Sequence, residues 1–169
     1  MLVLHNEKKY TFVRMLILLD IDGVMVPTTI WKPTEILSDG FPNFSSKATN
    51  SLQTIINRTG ASILLTTSHK SKFNKYQWEE IFKTRGIVAN IDVLENNEDN
   101  LNRKEEILRW FTKATIAESF VILDDDKSLN GLPGHIKDKA IVTSGTVGLT
   151  IDHANEAIDI LKKEEFIIV

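Results

Sequence analysis

Cysteine is absent from the chain. That excludes disulfides, thiolate zinc and iron–sulfur sites, and thiol nucleophiles. It suits a reducing compartment, and a cytoplasmic location is the expectation. No apolar run approaches the roughly 18 residues that a membrane span needs, so no membrane partner is expected. The N-terminus "MLVLHNEKKYTFVR" lacks signal-peptide order, because its lysines follow a very short apolar run. An excess of positive charge is missing too. The net charge is −3, so no global basic field draws the chain to nucleic acid or membrane. Internal repeats, low-complexity tracts and long linkers are likewise missing. What remains is 169 residues, 42% apolar and 25% charged, which matches one globular domain with one sizeable core.

Short apolar runs alternate with helical patterns. "MLILL" (15–19), "SILL" (62–65), "FVIL" (120–123) and "AIV" (140–142) do not alternate with polar residues, so they read as strands buried on both faces. "GIVANIDVLEN" (86–96) holds a further short strand. Between the strands lie apolar stripes at helical spacing. They are Ala48, Leu52, Ile55 and Ile56 with Gly60 as C-cap; Trp78, Ile81 and Phe82 ending near Gly86; Ile107, Trp110, Phe111 and Ala114; and Ala154, Ala157, Ile158 and Leu161 starting near Asp152. This alternation predicts an α/β fold, with a mostly parallel central sheet flanked by helices. Residues 1–14 read as an extension, with a possible edge strand in "KKYTFV", and residues 15–169 as a single domain.

Sites in such sheets form beyond the carboxyl ends of the strands. Three ends carry polar groups: "LLDIDG" with Asp20 and Asp22, "ILLTTSHK" with Thr66, Thr67 and Ser68, and "VILDDDK" with Asp124, Asp125 and Asp126. Two acidic clusters side by side repel unless a cation lies between them. Hard oxygen ligands suit Mg²⁺. Arg103 and Lys104 open the helix before the third of these ends. One carboxylate can then attack phosphorus and form an aspartyl phosphate, while a second protonates the leaving oxygen and later activates water. A threonine hydroxyl and a basic side chain would hold the phosphoryl oxygens.

Asp20-Ile21-Asp22-Gly23 after a buried strand, Thr66 after the next, a basic residue opening a helix, and an Asp-Asp pair after a later strand resemble the haloacid dehalogenase (HAD) superfamily of phosphohydrolases. The segments "NRKEEILRWF", "VILDDDKSL" and "TSGTVGLTIDHANEAIDIL" resemble a small HAD-like subgroup, found alone in bacteria and as a module of multi-enzyme RNA-repair proteins. The resemblance implies a three-layer Rossmann-like fold and a Mg²⁺ cofactor. It implies that Asp20 is nucleophile and metal ligand, and that Asp22 is general acid/base with its carbonyl on the metal. Thr66 would bind the phosphoryl group, and Arg103 or Lys104 would be the stabilising base. One of Asp124 and Asp125 would bind metal while the other orients water or the base. An acid at position 22 points to hydrolysis rather than a long-lived phosphoenzyme.

Plainer readings compete at several places. D-x-D-G could be a turn, but it is no EF-hand, since Gly falls at the fourth position. "SGTVG" (144–148) lacks the lysine of a P-loop and reads as a plain loop. The four histidines share no spacing and read as surface or structural. "HKSKFNKYQW" (69–78) puts Lys70 and Lys72 beside the site, as substrate contacts together with Thr67, although its aromatics also fit a core stripe. About two dozen residues separate Asp22 from the next helix, enough for a flap and not for a large cap. Among the capless relatives that the chain resembles, an open site goes with bulky phosphorylated substrates, so the resemblance implies a nucleic-acid end or a nucleotide. The alternatives are a small-molecule phosphatase with a flap loop, and a non-catalytic phosphate- or partner-binding module.

Overall fold

The computed structural model describes residues 10–12, 14–29, 31–113, 119–163 and 166–168. Five parallel strands form the central sheet: β2 (Met15–Leu19), β3 (Ser62–Leu65), β4 (Ile91–Val93), β5 (Ser119–Asp124) and β6 (Ala140–Val142), in the order β4-β3-β2-β5-β6. β1 (Tyr10–Phe12) pairs instead with β7 (Phe166–Ile168), antiparallel and outside that sheet. Residues 1–9, and with them most of the N-terminal extension, lie outside the described residues, as does Ala114 of the third apolar stripe.

The reason for an apolar run without alternation is visible in β2. Successive strand side chains point to opposite faces. Met15, Ile17 and Leu19 enter one core, with Leu52, Ile55, Trp78, Phe82 and Leu161. Leu16 and Leu18 enter a second core, with Ile107, Phe120, Leu129 and Ile136. A strand covered on both faces must be apolar on both. The first core is built by helices α1 (Ser46–Thr59), α2 (Lys75–Thr84) and α5 (Ile151–Lys162), and the second by α3 (Arg103–Lys113) and the short α4 (Gly134–Lys137). Helices on both faces of a parallel sheet make the three-layer, Rossmann-like α/β arrangement expected from the alternation.

Helix boundaries follow local chemistry. Ser45 Oγ accepts from the Ala48 amide at 3.1 Å and starts α1. Gly60, at φ 69°, ends it in the left-handed conformation that glycine adopts without steric cost. Asn74 and Gln77 form a capping box on α2. Asn102 and Glu105 satisfy each other's backbone amides at 3.0 and 2.8 Å, which places Arg103 in the first turn of α3.

Register then levels the strand ends. Leu19 pairs with Leu65 on one side and Leu123 on the other. Asp20, Thr66 and Asp124 are the next residue on each strand path, and they share one level. The Asp20 amide bonds the Leu123 carbonyl at 3.0 Å, and the Thr66 amide bonds the Leu19 carbonyl at 2.9 Å. The chain passes from β2 toward β4 on one side and returns to β5 on the other, so the strand order reverses between β2 and β5. That is where an open α/β sheet leaves a crevice. Among the described residues, 27–29 and 31–44 cross this end as a loop with an isolated Ile36–Pro42 bridge.

Candidate active site

Beyond β2 the chain makes a tight turn around Ile21, whose carbonyl accepts from the amides of Val24, Met25 and Val26 at 3.1, 2.8 and 3.0 Å. Ile21, Val24, Met25 and Val26 are buried, which anchors the turn. Gly23 permits it. Its φ is 77°, and a Cβ there would overlap the Asp125 carboxylate. From the other side, a Cβ on Gly145 would come within 2.8 Å of Asp125 Oδ2. Two glycines thus cradle one carboxylate. Asp20, Asp124 and Asp125 each present an oxygen within 4.8 Å of the others.

Arg103 is the cation among them. Its Nη2 donates to Asp20 Oδ1 at 3.2 Å, its Nη1 to Glu106 Oε2 at 3.2 Å and to the Thr66 carbonyl, and its Nε lies 2.8 Å from Asp124 Oδ2. This last contact is Coulombic only. Among the described residues, neither Arg103 Nε nor Asp124 Oδ2 has a hydrogen-bond partner in proper geometry, and the buried Thr66 hydroxyl also lacks one. Glu106 is held in turn by Lys70 Nζ at 2.7 Å, with both side chains almost fully buried. Asp20, Asp124, Asp125 and Glu106 therefore face Arg103 and Lys70, an excess of two negative charges once all four acids are ionised. Burial, then the neighbouring Asp124, pushes the Asp20 carboxyl up to about 8. Burial pushes Asp124 up to about 6, against the pull of Arg103. Burial raises Asp125 as well.

These residues fit a divalent cation. The donor set is three carboxylates, the charge excess equals that of one such ion, and Asp124 Oδ2 is a buried oxygen without a directed partner. Beside them lies an open cleft of about 530 Å³, lined by Ser68, Ser71, Asn96, Asn102, Arg103 and Asp126.

Not every residue expected at the site is there. Lys104 runs along Gly131, with its amide on Ser128 Oγ at 3.2 Å; it is Arg103 that meets the carboxylates. Successive helical residues lie about 100° apart, so only one of the two can face the strand ends. Thr66 lies at the level of Asp20, but the Thr67 hydroxyl accepts from the His69 amide at 3.2 Å and serves the turn. Lys70 does not stand free for a substrate, because its ammonium is buried against Glu106. Lys72 is exposed and makes no ion pair among the described residues. Trp78 is core, while Tyr76 is exposed.

Three residues at the site were not singled out by sequence reasoning. His69 Nε2 lies 2.8 Å from Asp22 Oδ2. Its signal was its place directly after "ILLTTS" at a strand end, which a search for shared histidine spacing overlooks. Glu106 belongs to no motif of its own, yet its spacing of three from Arg103 puts both on one helical face. Gly145 belongs to the segment read as a plain loop.

A family model described as the HAD domain in Swiss Army Knife RNA repair proteins matches residues 16–154. Among solved structures, the chain is similar to one described as a HAD-superfamily (subfamily III A) hydrolase from Legionella pneumophila. The identity is 13%, the TM-score 0.43, and the match covers 90% of this chain and 86% of the other. No curated protein matches the chain. Among the described residues, no helix is long and apolar enough to cross a membrane.

Proposed function

Since the chain belongs to the family of HAD domains in Swiss Army Knife RNA repair proteins, we propose that it is a Mg²⁺-dependent phosphohydrolase acting through an aspartyl phosphate on Asp20, with the phosphorylated end of an RNA strand as substrate. The observation that carries this reading is the Asp20–Asp124–Asp125 cluster around Arg103, next to the unpartnered Thr66 hydroxyl. Asp20, Asp124, Asp125 and the Asp22 carbonyl would hold the divalent cation, which supplies the positive charge that lets a carboxylate approach a phosphate.

The reaction runs in two halves. An Asp20 oxygen bonds to phosphorus as the bond from phosphorus to the leaving oxygen breaks, and Asp22 gives its proton to that oxygen. Asp22, now a carboxylate, takes a proton from water. The water oxygen bonds to phosphorus, the acyl-phosphate bond breaks, and inorganic phosphate and the Asp20 carboxylate are released. The Thr66 hydroxyl and the Arg103 guanidinium hold the phosphoryl oxygens as charge shifts onto them.

The family description and the uncapped site support a nucleic-acid end. A small phosphomonoester is the second reading, favoured by the cleft of about 530 Å³, a size typical of small-ligand sites. Phosphate release from p-nitrophenyl phosphate, with Mg²⁺ and with chelator, tests the chemistry. Comparing kcat/KM for 3′- and 5′-phosphorylated oligoribonucleotides with the matching mononucleotides and sugar phosphates tests the substrate. The expected result is Mg²⁺-dependent turnover with preference for an oligonucleotide. No turnover of any of these overturns the enzyme reading, and preference for the small molecules replaces RNA with the second reading.

A further inference from the structure

A general acid must present its proton at one point, yet Asp22 is poorly placed to do so unaided. Its side chain is 47% exposed, on a turn where a short carboxylate can take several rotamers. Among the described residues, the side chain that hydrogen-bonds it is His69, with Nε2 2.8 Å from Oδ2. His69 is itself held firmly. Its amide donates to the Thr67 hydroxyl at 3.2 Å, and its carbonyl accepts from the Lys72 amide at 2.9 Å. Its ring stands edge-on against Phe41, with centroids 5.6 Å apart. Phe41 is buried against Trp78 and Phe73, and its carbonyl accepts from Arg85 Nη2 at 2.8 Å. The imidazole thus has a fixed backing, supplied by the loop that crosses the strand ends, and a free edge that meets the carboxylate.

We propose that His69 is the positioning residue for Asp22. Its Nε2–H donates to Oδ2, which leaves Oδ1 as the oxygen that gives its proton to the leaving group and later takes one from water. His69 keeps its own proton throughout and touches no reacting atom. This rests on the acid/base reading of Asp22 above. The logic is that of any catalytic acid or base oriented by a third group.

The test uses the full chain and two Mg²⁺-supported substrates, p-nitrophenyl phosphate and an alkyl phosphate. His69→Phe keeps a ring against Phe41 and removes the donor. With the acid mispointed, kcat/KM for the alkyl phosphate, which reports the first half-reaction alone, should fall about 10- to 100-fold. Because p-nitrophenolate leaves without a proton, its kcat/KM should fall by less than about threefold, whatever the later water step costs. His69→Gln, which retains a side-chain N–H, should recover most of the loss. In an Asp22→Asn background, His69→Phe should cost nothing further, since the two act as one unit. If His69→Phe does not fold, His69→Ala takes its place, and added imidazole should restore alkyl phosphate turnover.

Equal losses on both substrates, or full additivity with Asp22→Asn, overturn the positioning role and leave His69 as a packing residue. Failure of imidazole to restore the His69→Ala enzyme does the same. A leaving-group-dependent loss in Asp22→Asn without one in His69→Phe overturns the positioning role alone. An Asp22→Asn enzyme as active as wild type on the alkyl phosphate overturns the acid/base reading beneath it.

Discussion

Replacing Arg103 by methionine removes one charge while keeping most of the stem's volume. The guanidinium is only 10% exposed and lies between Asp20, Asp124 and Glu106. Without it, Lys70 remains, and its ammonium is paired with Glu106 rather than with Asp20 or Asp124. Removing one partner of a buried ion pair costs about 3–5 kcal/mol. The cost depends on pH, because Asp20 titrates near 8 and Asp124 near 6, both above the ordinary value of 3.8. The folded state binds protons that the unfolded chain has already released, so ionising these carboxyls destabilises the fold as pH rises from about 4 to about 8. Arg103 offsets that loss as the charges appear. At pH 8 Asp124 is ionised and Asp20 about half so, and the variant should lose most of that amount. At pH 5 both carboxyls are largely protonated, and what goes is the charged hydrogen bond to Glu106, about 1.5–3 kcal/mol. For a chain of this size each kcal/mol shifts the melting temperature by about 2–4 °C. The variant should therefore melt about 6–20 °C lower at pH 8 in metal-free buffer, and lose roughly half as much at pH 5. Circular dichroism melts in chelator give both numbers. An equal loss at the two pH values, or a larger one at pH 5, would refute the assignment of Arg103 as the cation balancing Asp20 and Asp124.

Asp20→Asn should abolish Mg²⁺-dependent turnover and leave the melting temperature at pH 8 equal or higher in chelator, since it removes a carboxyl whose ionisation burial disfavours; a few per cent of residual activity would contradict the nucleophile assignment. Mg²⁺ affinity, read by calorimetry, should tighten between pH 6 and pH 8 because the ion must displace protons from Asp20 and Asp124; a constant Kd over that range would place the ion elsewhere. Gly145→Ala should weaken Mg²⁺ binding by about 10-fold or more with the fold intact, because its Cβ would crowd the Asp125 carboxylate; unchanged affinity would mean that Asp125 is not a ligand. Lys70→Met should cost about 3–5 kcal/mol of stability, because Glu106 would keep only Arg103, which Asp20 and Asp124 already share; a stable variant with only a raised KM would return Lys70 to substrate contact.

The layout of this chain is written in its apolar periodicity. Runs such as "MLILL" and "FVIL" can satisfy both faces of a strand only inside a three-layer sheet, and the Ala48–Ile56 stripe can be buried only as a helix. Once parallel pairing follows, Asp20, Thr66 and Asp124 are brought to one level by register alone, so the acidic strand ends could be grouped before any coordinates. The partners of those acids could not. Arg103 and Lys104 are adjacent, equally charged and equally helical; a rotation of about 100° separates the one that meets Asp20 from the one that lies along Gly131. Lys70 reads as a substrate contact until packing buries it against Glu106, 36 residues away. His69 meets Asp22 across 47 residues, and Gly145 meets Asp125 because the loop after β6 folds over the turn after β2. Local residue patterns set secondary structure because their interactions span a turn or a pleat. The direction of a polar side chain at the sheet's edge is set by neighbours that arrive from distant parts of the chain, and it exists only once the layers have packed.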